Sequence, residues 1–349
     1  MKLIDSEYNK LLSLLSTLSP SSVEDEVAKY VETYRDNDCI FQRDILGNIF
    51  LSLPNEDNKR PIMIAAHSDE IGLQVINITS EGFIRFRTIG GVDLKATAGR
   101  HVYIIAGNNK IPGVICKVPI HIEYKEKIEK QLDASDLWID IGCDSVDEAS
   151  QLVSIGDMIG FAPNTLCLGR NKLSAKALDN KLGVFIATTV IKRLSVLNIR
   201  KSVTAVLTVQ EEVGCKGATV AAEALQPLYG ICIDVGIATD CPGVSEDKYG
   251  SLVLGKGPAL IYCTDTNRYL TDAAAKILEK RGIPFQKSVG IYPSGGTDTN
   301  KMQVAGNGIP CILVSIPLRS MHTPTEVCDL NDIATAIDAV IAIIQELTL

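Results

Sequence analysis

Four stretches of this chain read as buried strands, and each leads to a histidine or a carboxylate. PIMIAA (61–66) runs straight into His67-Ser68-Asp69, and SVTAVLTVQ (202–210) into Glu211-Glu212. YGICIDVG (229–236) carries Asp234 near its end, and CILVSIP (311–317) precedes His322. A run such as PIMIAA shows no polar alternation, so it predicts a strand covered on both faces, the habit of α/β sheets. An unpaired charge is costly inside such a sheet. A charged residue at the strand end is therefore either functional or a helix cap, and in open α/β sheets ligands collect beyond the carboxyl ends of the strands.

With 349 residues the chain exceeds one ordinary hydrophobic core. Leu11, Leu12, Leu14 and Leu15 fit one face of an N-terminal helix. Residues 22–36 predict a second helix, opened by a capping box from Ser22 to Asp25. Strands are expected at 39–44 and 48–53, with Gly47 in the turn. From about 72 to 164 the texture changes to short β-branched segments (GFIRFRTI, HVYIIAG, IPGVICKV, LWIDIG, DMIGFAP) separated by Gly, Pro and Asn, with a charged stretch near 123–132. Helix and strand alternate again afterwards. Helices are expected after Asp179 and at 217–225, 268–281 and 331–347. The fold class is thus α/β, a mixed sheet flanked by helices with a small all-β domain inserted. Residues 1–71 and 165–349 form the α/β domain and 72–164 the insert.

Composition narrows the partners. The net charge is −8 and no Lys/Arg run stands out, which argues against nucleic acid. No stretch of about 18 uncharged apolar residues exists, so no membrane span is expected. Asp5 and Glu7 precede the first apolar stretch and no cleavage site follows, so a cytoplasmic location is expected. Ten cysteines without CxxC spacing suit reduced thiols. GSLVLGKG (250–257) approximates a phosphate loop but has Gly257 where Ser or Thr is required, and no GxSxG elbow occurs.

The strand-end positions His67, Asp179, Glu211-Glu212, Asp234 and His322 supply two imidazoles and four carboxylates, a donor set suited to zinc, cobalt or manganese. Asp69, two residues from His67, falls on the same side of an extended strand and could fix its ring tautomer. Of Glu211 and Glu212, one could bind metal while the other serves as general base. Structural readings compete at each point. Asp179 is a good N-cap, Asp234 could cap a loop, and the glutamate pair could suit a helix N-terminus. Cys215 reads as a buried thiol, and His101 and His121 as structural or interface residues of the insert.

Taken together, AAHSDEIG (65–72), ALDNKLG (177–183), QEEVGCKGA (210–218), IDVGIATDCPG (233–243), SGGTD (294–298) and MHTPTEV (321–327) resemble the tetrahedral aminopeptidases, the family-42 metallopeptidases. The resemblance spans essentially the whole chain and implies a zinc-peptidase-like fold. It implies a metal-dependent aminopeptidase acting on short peptides with two divalent ions per subunit, zinc foremost and cobalt or manganese as alternatives. Asp179 would bridge the ions, with His67 and Asp234 on one and Glu212 and His322 on the other. Glu211 would be the general base and Asp69 the orienter of His67. The insert would mediate dimers that assemble into a dodecamer. Ser68, Cys215 and Thr299-Asn300 depart from the usual pattern without removing a ligand. A glycoside hydrolase using two carboxylates, or a non-catalytic assembly protein of the same fold, are the competing readings.

Overall fold

The computed structural model describes residues 3–35, 39–53, 60–123, 132–197, 199 and 201–348. Strands β1 (Ile40–Arg43) and β2 (Ile49–Ser52) form a hairpin. Its turn is closed by Asp44, whose Oδ1 accepts the amides of Gly47 and Asn48, with Gly47 at φ 110°. Strand β3 (Ile62–His67) follows, buried along its entire length. Next comes a closed antiparallel barrel of β4 (Gly72–Ile78), β5 (Ile84–Ile89), β6 (His101–Ala106), β7 (Asn109–Lys117), β8 (Leu137–Asp140) and β9 (Met158–Phe161). Strand β4 falls within the β-rich stretch but outside the five segments that β-branched texture marks in it. The pleat fills the barrel: Leu73 and Val75, Ile84 and Phe86, and Val102 and Ile104 alternate inward around one core.

After β10 (Leu166–Leu168) and β11 (Lys172–Ala175), the chain returns to the main sheet with β12 (Val203–Thr208), β13 (Tyr229–Ile237), β14 (Ala259–Ile261), β15 (Gln286–Ser288) and β16 (Cys311–Leu318). A short β17 (Glu326–Asp329) pairs with β11. The large sheet has the order β1-β2-β12-β3-β13-β16-β14-β15 and is mixed, with β12, β3, β13 and β16 parallel at its centre. Alternation explains why both faces must be covered. Ile62, Ile64 and Ala66 join the core beneath the helices Leu178–Val196 and Leu330–Glu346. Met63 and Ala65 face the opposite way, against Ala218, Ala221 and Ala222 of the helix Lys216–Leu225.

One local expectation needs correction. The second helix begins at Asp25, not Ser22, and ends at Glu32; its predicted end at residue 36 lies outside the described residues. Ser22 sits at φ 80°, outside the helix, and donates its amide to Glu24 Oε1. The reason is tertiary, because neighbouring Ser21 is drawn instead to Asp69, its Oγ 2.6 Å from Oδ2. The charged stretch near 123–132 lies mostly outside the described residues, which show only a turn of helix at Ile120–Glu123 before it. At 250–257 the amides of Gly255 and Gly257 donate to Asp332 at 2.7 Å, so an internal carboxylate holds the position a phosphate would need.

Candidate metal centre

The parallel strands end on one side of the sheet, and the polar residues gather there. His67 closes β3 and is 2% exposed. Its Nδ1 lies 3.0 Å from the backbone oxygen of Asp69 and 3.5 Å from Asp69 Oδ1. The ring is thus oriented by the Asp69 residue chiefly through its carbonyl. The Asp69 carboxylate itself accepts the amides of Glu211 (2.9 Å) and Glu212 (3.2 Å), pinning the turn after β12. That turn is tight, with Gly214 at φ 115° and Cys215 at φ 54°, and it ends the strand so that both glutamates face the same cavity.

Asp179 does not cap its helix. It and Asn180 leave helical dihedrals, and Asn180 takes over the cap by accepting the Gly183 amide on Oδ1. The Asp179 carboxylate is thereby free. Its Oδ1 lies 3.0 Å from His67 Nε2 and its Oδ2 3.3 Å from His322 Nε2. Asp234 Oδ1 stands 3.6 Å from His67 Nε2, and Glu212 Oε2 stands 3.6 Å from His322 Nε2. Glu211 Oε2 is 4.0 Å from His67. The structure therefore brings five of the singled-out residues together in two groups of three potential ligands that share Asp179, His67-Asp179-Asp234 and Asp179-Glu212-His322, with Asp69 and Glu211 beside His67. His101 and His121 are exposed on the inserted module.

Three residues that sequence reasoning gave no role complete the arrangement. Glu326 is 1% exposed and accepts the amides of both Asp179 (3.0 Å) and His322 (2.9 Å). Gly91, from the barrel, places its carbonyl 3.0 Å from His322 Nδ1. Asp298 receives the Thr208 hydroxyl on Oδ2. Glu326 and Asp298 sit inside the motifs MHTPTEV and SGGTD; Gly91 carries no side chain and so gives no signal.

Electrostatics favour a cation here. Burial raises Glu212 well above the ordinary carboxylate range, and Asp179 adds to it. Burial raises Glu211 likewise, against the pull of His67, with Asp234 and Asp298 adding to it. Burial opposes the imidazolium of His67, yet Glu211, Asp179 and Asp234 outweigh it and raise the ring. Glu212 Oε1 is buried with no hydrogen-bond partner. An unpartnered buried carboxylate oxygen beside crowded carboxylates and two imidazoles fits divalent metal ions, and the donor set is that of zinc, cobalt or manganese. A cavity of about 550 Å³ opens from these groups, and Val235, Ile237, Leu252, Ile261 and Met321 line it further on.

Comparison with known proteins agrees with this geometry. A lysyl aminopeptidase of Pyrococcus furiosus is 31% identical over 308 residues, covering 87% of this chain and 86% of that protein. Among solved structures, an aminopeptidase of the archaeon Desulfurococcus kamchatkensis superposes with TM-score 0.90 at 31% identity, covering 98% of this chain and 95% of that one. The TET1 peptidase of Pyrococcus horikoshii, which can assemble into a tetrahedron or a large octahedral shell, gives TM-score 0.88 at 30% identity and covers 98% and 100%. The family described as M42 glutamyl aminopeptidase matches residues 47–338. The chain belongs to this M42 family and is a metal-dependent aminopeptidase.

Proposed function

We propose that the enzyme removes N-terminal residues from short peptides using two divalent cations. His67 and Asp234 would hold one, Glu212 and His322 the other, and Asp179 both. The observation that carries this reading is the split carboxylate of Asp179, with one oxygen toward each imidazole. When bound, such a pair acidifies water and polarises the scissile carbonyl. Glu211 then accepts a proton as the water oxygen attacks the carbonyl carbon. It returns that proton to the amine nitrogen as the C–N bond breaks. Asp69 fixes the backbone of Glu211, so the base approaches from a defined direction. The acidic lining would attract the free α-amine that marks a peptide N-terminus.

Glu211→Gln should keep its metal content and lose about 10²–10⁴-fold in kcat. An unchanged kcat would reject Glu211 as base. Chelation should abolish aminoacyl-anilide hydrolysis, and zinc, cobalt or manganese should restore it; activity indifferent to chelator would remove the metal pair. Two carboxylates alone would serve a glycosidase, but both imidazoles would then stand unexplained. We further propose that residues 72–164 act as a dimerisation domain and that the chain builds a closed dodecamer in the cytoplasm. The support is the tetrahedron, one of two shells stated for the Pyrococcus horikoshii relative, and the exposed apolar side chains Val118, Ile120 and Ile122 on the insert.

A further inference from the structure

Beside the two groups that share Asp179 lies another arrangement, in which Glu211 and Cys215 line the cavity and Asp298 is buried next to them. The Cys215 thiol and one carboxylate oxygen each from Glu211 and Asp298 lie within 4.8 Å of one another. The turn after β12 aims Cys215 there, with Sγ 3.3 Å from Glu211 Oε1. Asp298 precedes the short helix Thr299–Met302 and is 1% exposed. Thr208 takes its Oδ2, and Oδ1 is buried with no hydrogen-bond partner. Such an oxygen costs free energy until a cation or a proton reaches it.

We propose that Glu211, Cys215 and Asp298 form a third cation site, selective for thiophilic divalent ions such as excess zinc or cadmium, and inhibitory. A thiolate with two carboxylates suits such ions and disfavours magnesium or calcium. The residues of the paired site contain no sulfur, so the third site differs from it in chemistry as well as place. Binding would release the thiol proton to solvent and engage Glu211 as a ligand, removing the base. Zinc would thus activate while filling the paired site and inhibit once it reaches the third. The inhibition rests on Glu211 being the base; the binding does not.

Cadmium titration of the metal-loaded enzyme tests this. Imidazole and carboxylate ligands give no thiolate-to-cadmium charge-transfer absorption in the ultraviolet, so the band reports sulfur ligation. The wild type should gain it, Cys215→Ala should lose it, and Asp298→Asn should need about 10–100-fold more cadmium. The zinc concentration that halves turnover should rise at least about tenfold in Cys215→Ala, each enzyme being compared with its own rate before excess zinc is added. A band absent from the wild type overturns the site. A band undiminished in Cys215→Ala also overturns it, by assigning the signal to other cysteines. A Cys215-dependent band without inhibition would reject the inhibitory role, because the bound ion would then leave Glu211 unengaged; whether Glu211 is the base is decided separately by the turnover of Glu211→Gln.

Discussion

Glu326 does nothing in the chemistry proposed above, yet two of its central residues hang from it. Its oxygens accept the amides of Asp179 and His322, 3.0 and 2.9 Å away. In Glu326→Gln one acceptor becomes an NH₂ donor facing an N–H donor, so one of those two residues loses its anchor. We expect metal affinity, measured by chelator competition, to fall about 10–100-fold, with kcat largely recovered at saturating metal. Unchanged affinity would show that backbone anchoring at these positions is redundant. His67, Asp179, Asp234, Glu212 and His322 are legible in the sequence because each is a metal-competent type beyond a buried run. Glu326 is not, because its partners are backbone amides, which leave no trace in side-chain identity. The cap at Asp179 misleads for a related reason: Asp and Asn both cap well, and only the fold shows that Asn180 does so while Asp179 turns to the imidazoles.

Among elements, the end of β3 and the segment leading into the helix Leu178–Val196 must be held in register for the site to exist. A buried ion cluster does this. Lys176 Nζ lies 2.6 Å from Glu70 Oε2, and Lys181 Nζ lies 3.4 Å from Oε1. All three side chains are 2% exposed or less, so solvent hardly screens them. Removing one partner of such a pair leaves an uncompensated buried charge, costing about 3–5 kcal/mol; Glu70→Gln should therefore lower Tm markedly. The pH dependence follows from the direction of the Glu70 shift. Burial raises its pKa, but Lys176 and Lys181 outweigh burial and hold it below the usual value. A depressed folded pKa means the contribution is present above the unfolded value, about 4.3, and is lost as pH falls through the folded one. The Tm gap between wild type and Glu70→Gln should be full at neutral pH and shrink only in acid below about pH 4. A gap independent of pH would place the effect in packing. The strands themselves are predictable to within a residue or two, since β3, β12, β13 and β16 are predominantly apolar and buried over all or nearly all of their length. The pairing of Lys176 with a residue 106 positions away is not.

At the scale of the whole molecule, the barrel is part of the site as well as an appendage to it. The loop after β5 brings Gly90 and Gly91 against Glu212 and His322, and the Asp93 amide donates to the His322 carbonyl. The barrel therefore braces one of the two ligand groups from outside the α/β sheet. A Cβ at Gly91 would lie 2.7 Å from His322 Nδ1, closer than carbon and nitrogen can approach, so the imidazole or the loop must move. His322 is itself held at φ 62°, with its amide tied to Glu326, which leaves it little freedom to yield. Gly91→Ala should then displace the ring, and a displacement near 1 Å is enough to cost about 10²-fold in turnover. The loss should come with weaker binding of one metal equivalent rather than both, because the contacts of Gly90, Gly91 and Asp93 fall on Glu212 and His322. Calorimetric metal titration against the apo-enzyme separates these outcomes: one weakened step of two supports a barrel that completes the His322 group, whereas two unchanged steps would make the contact incidental.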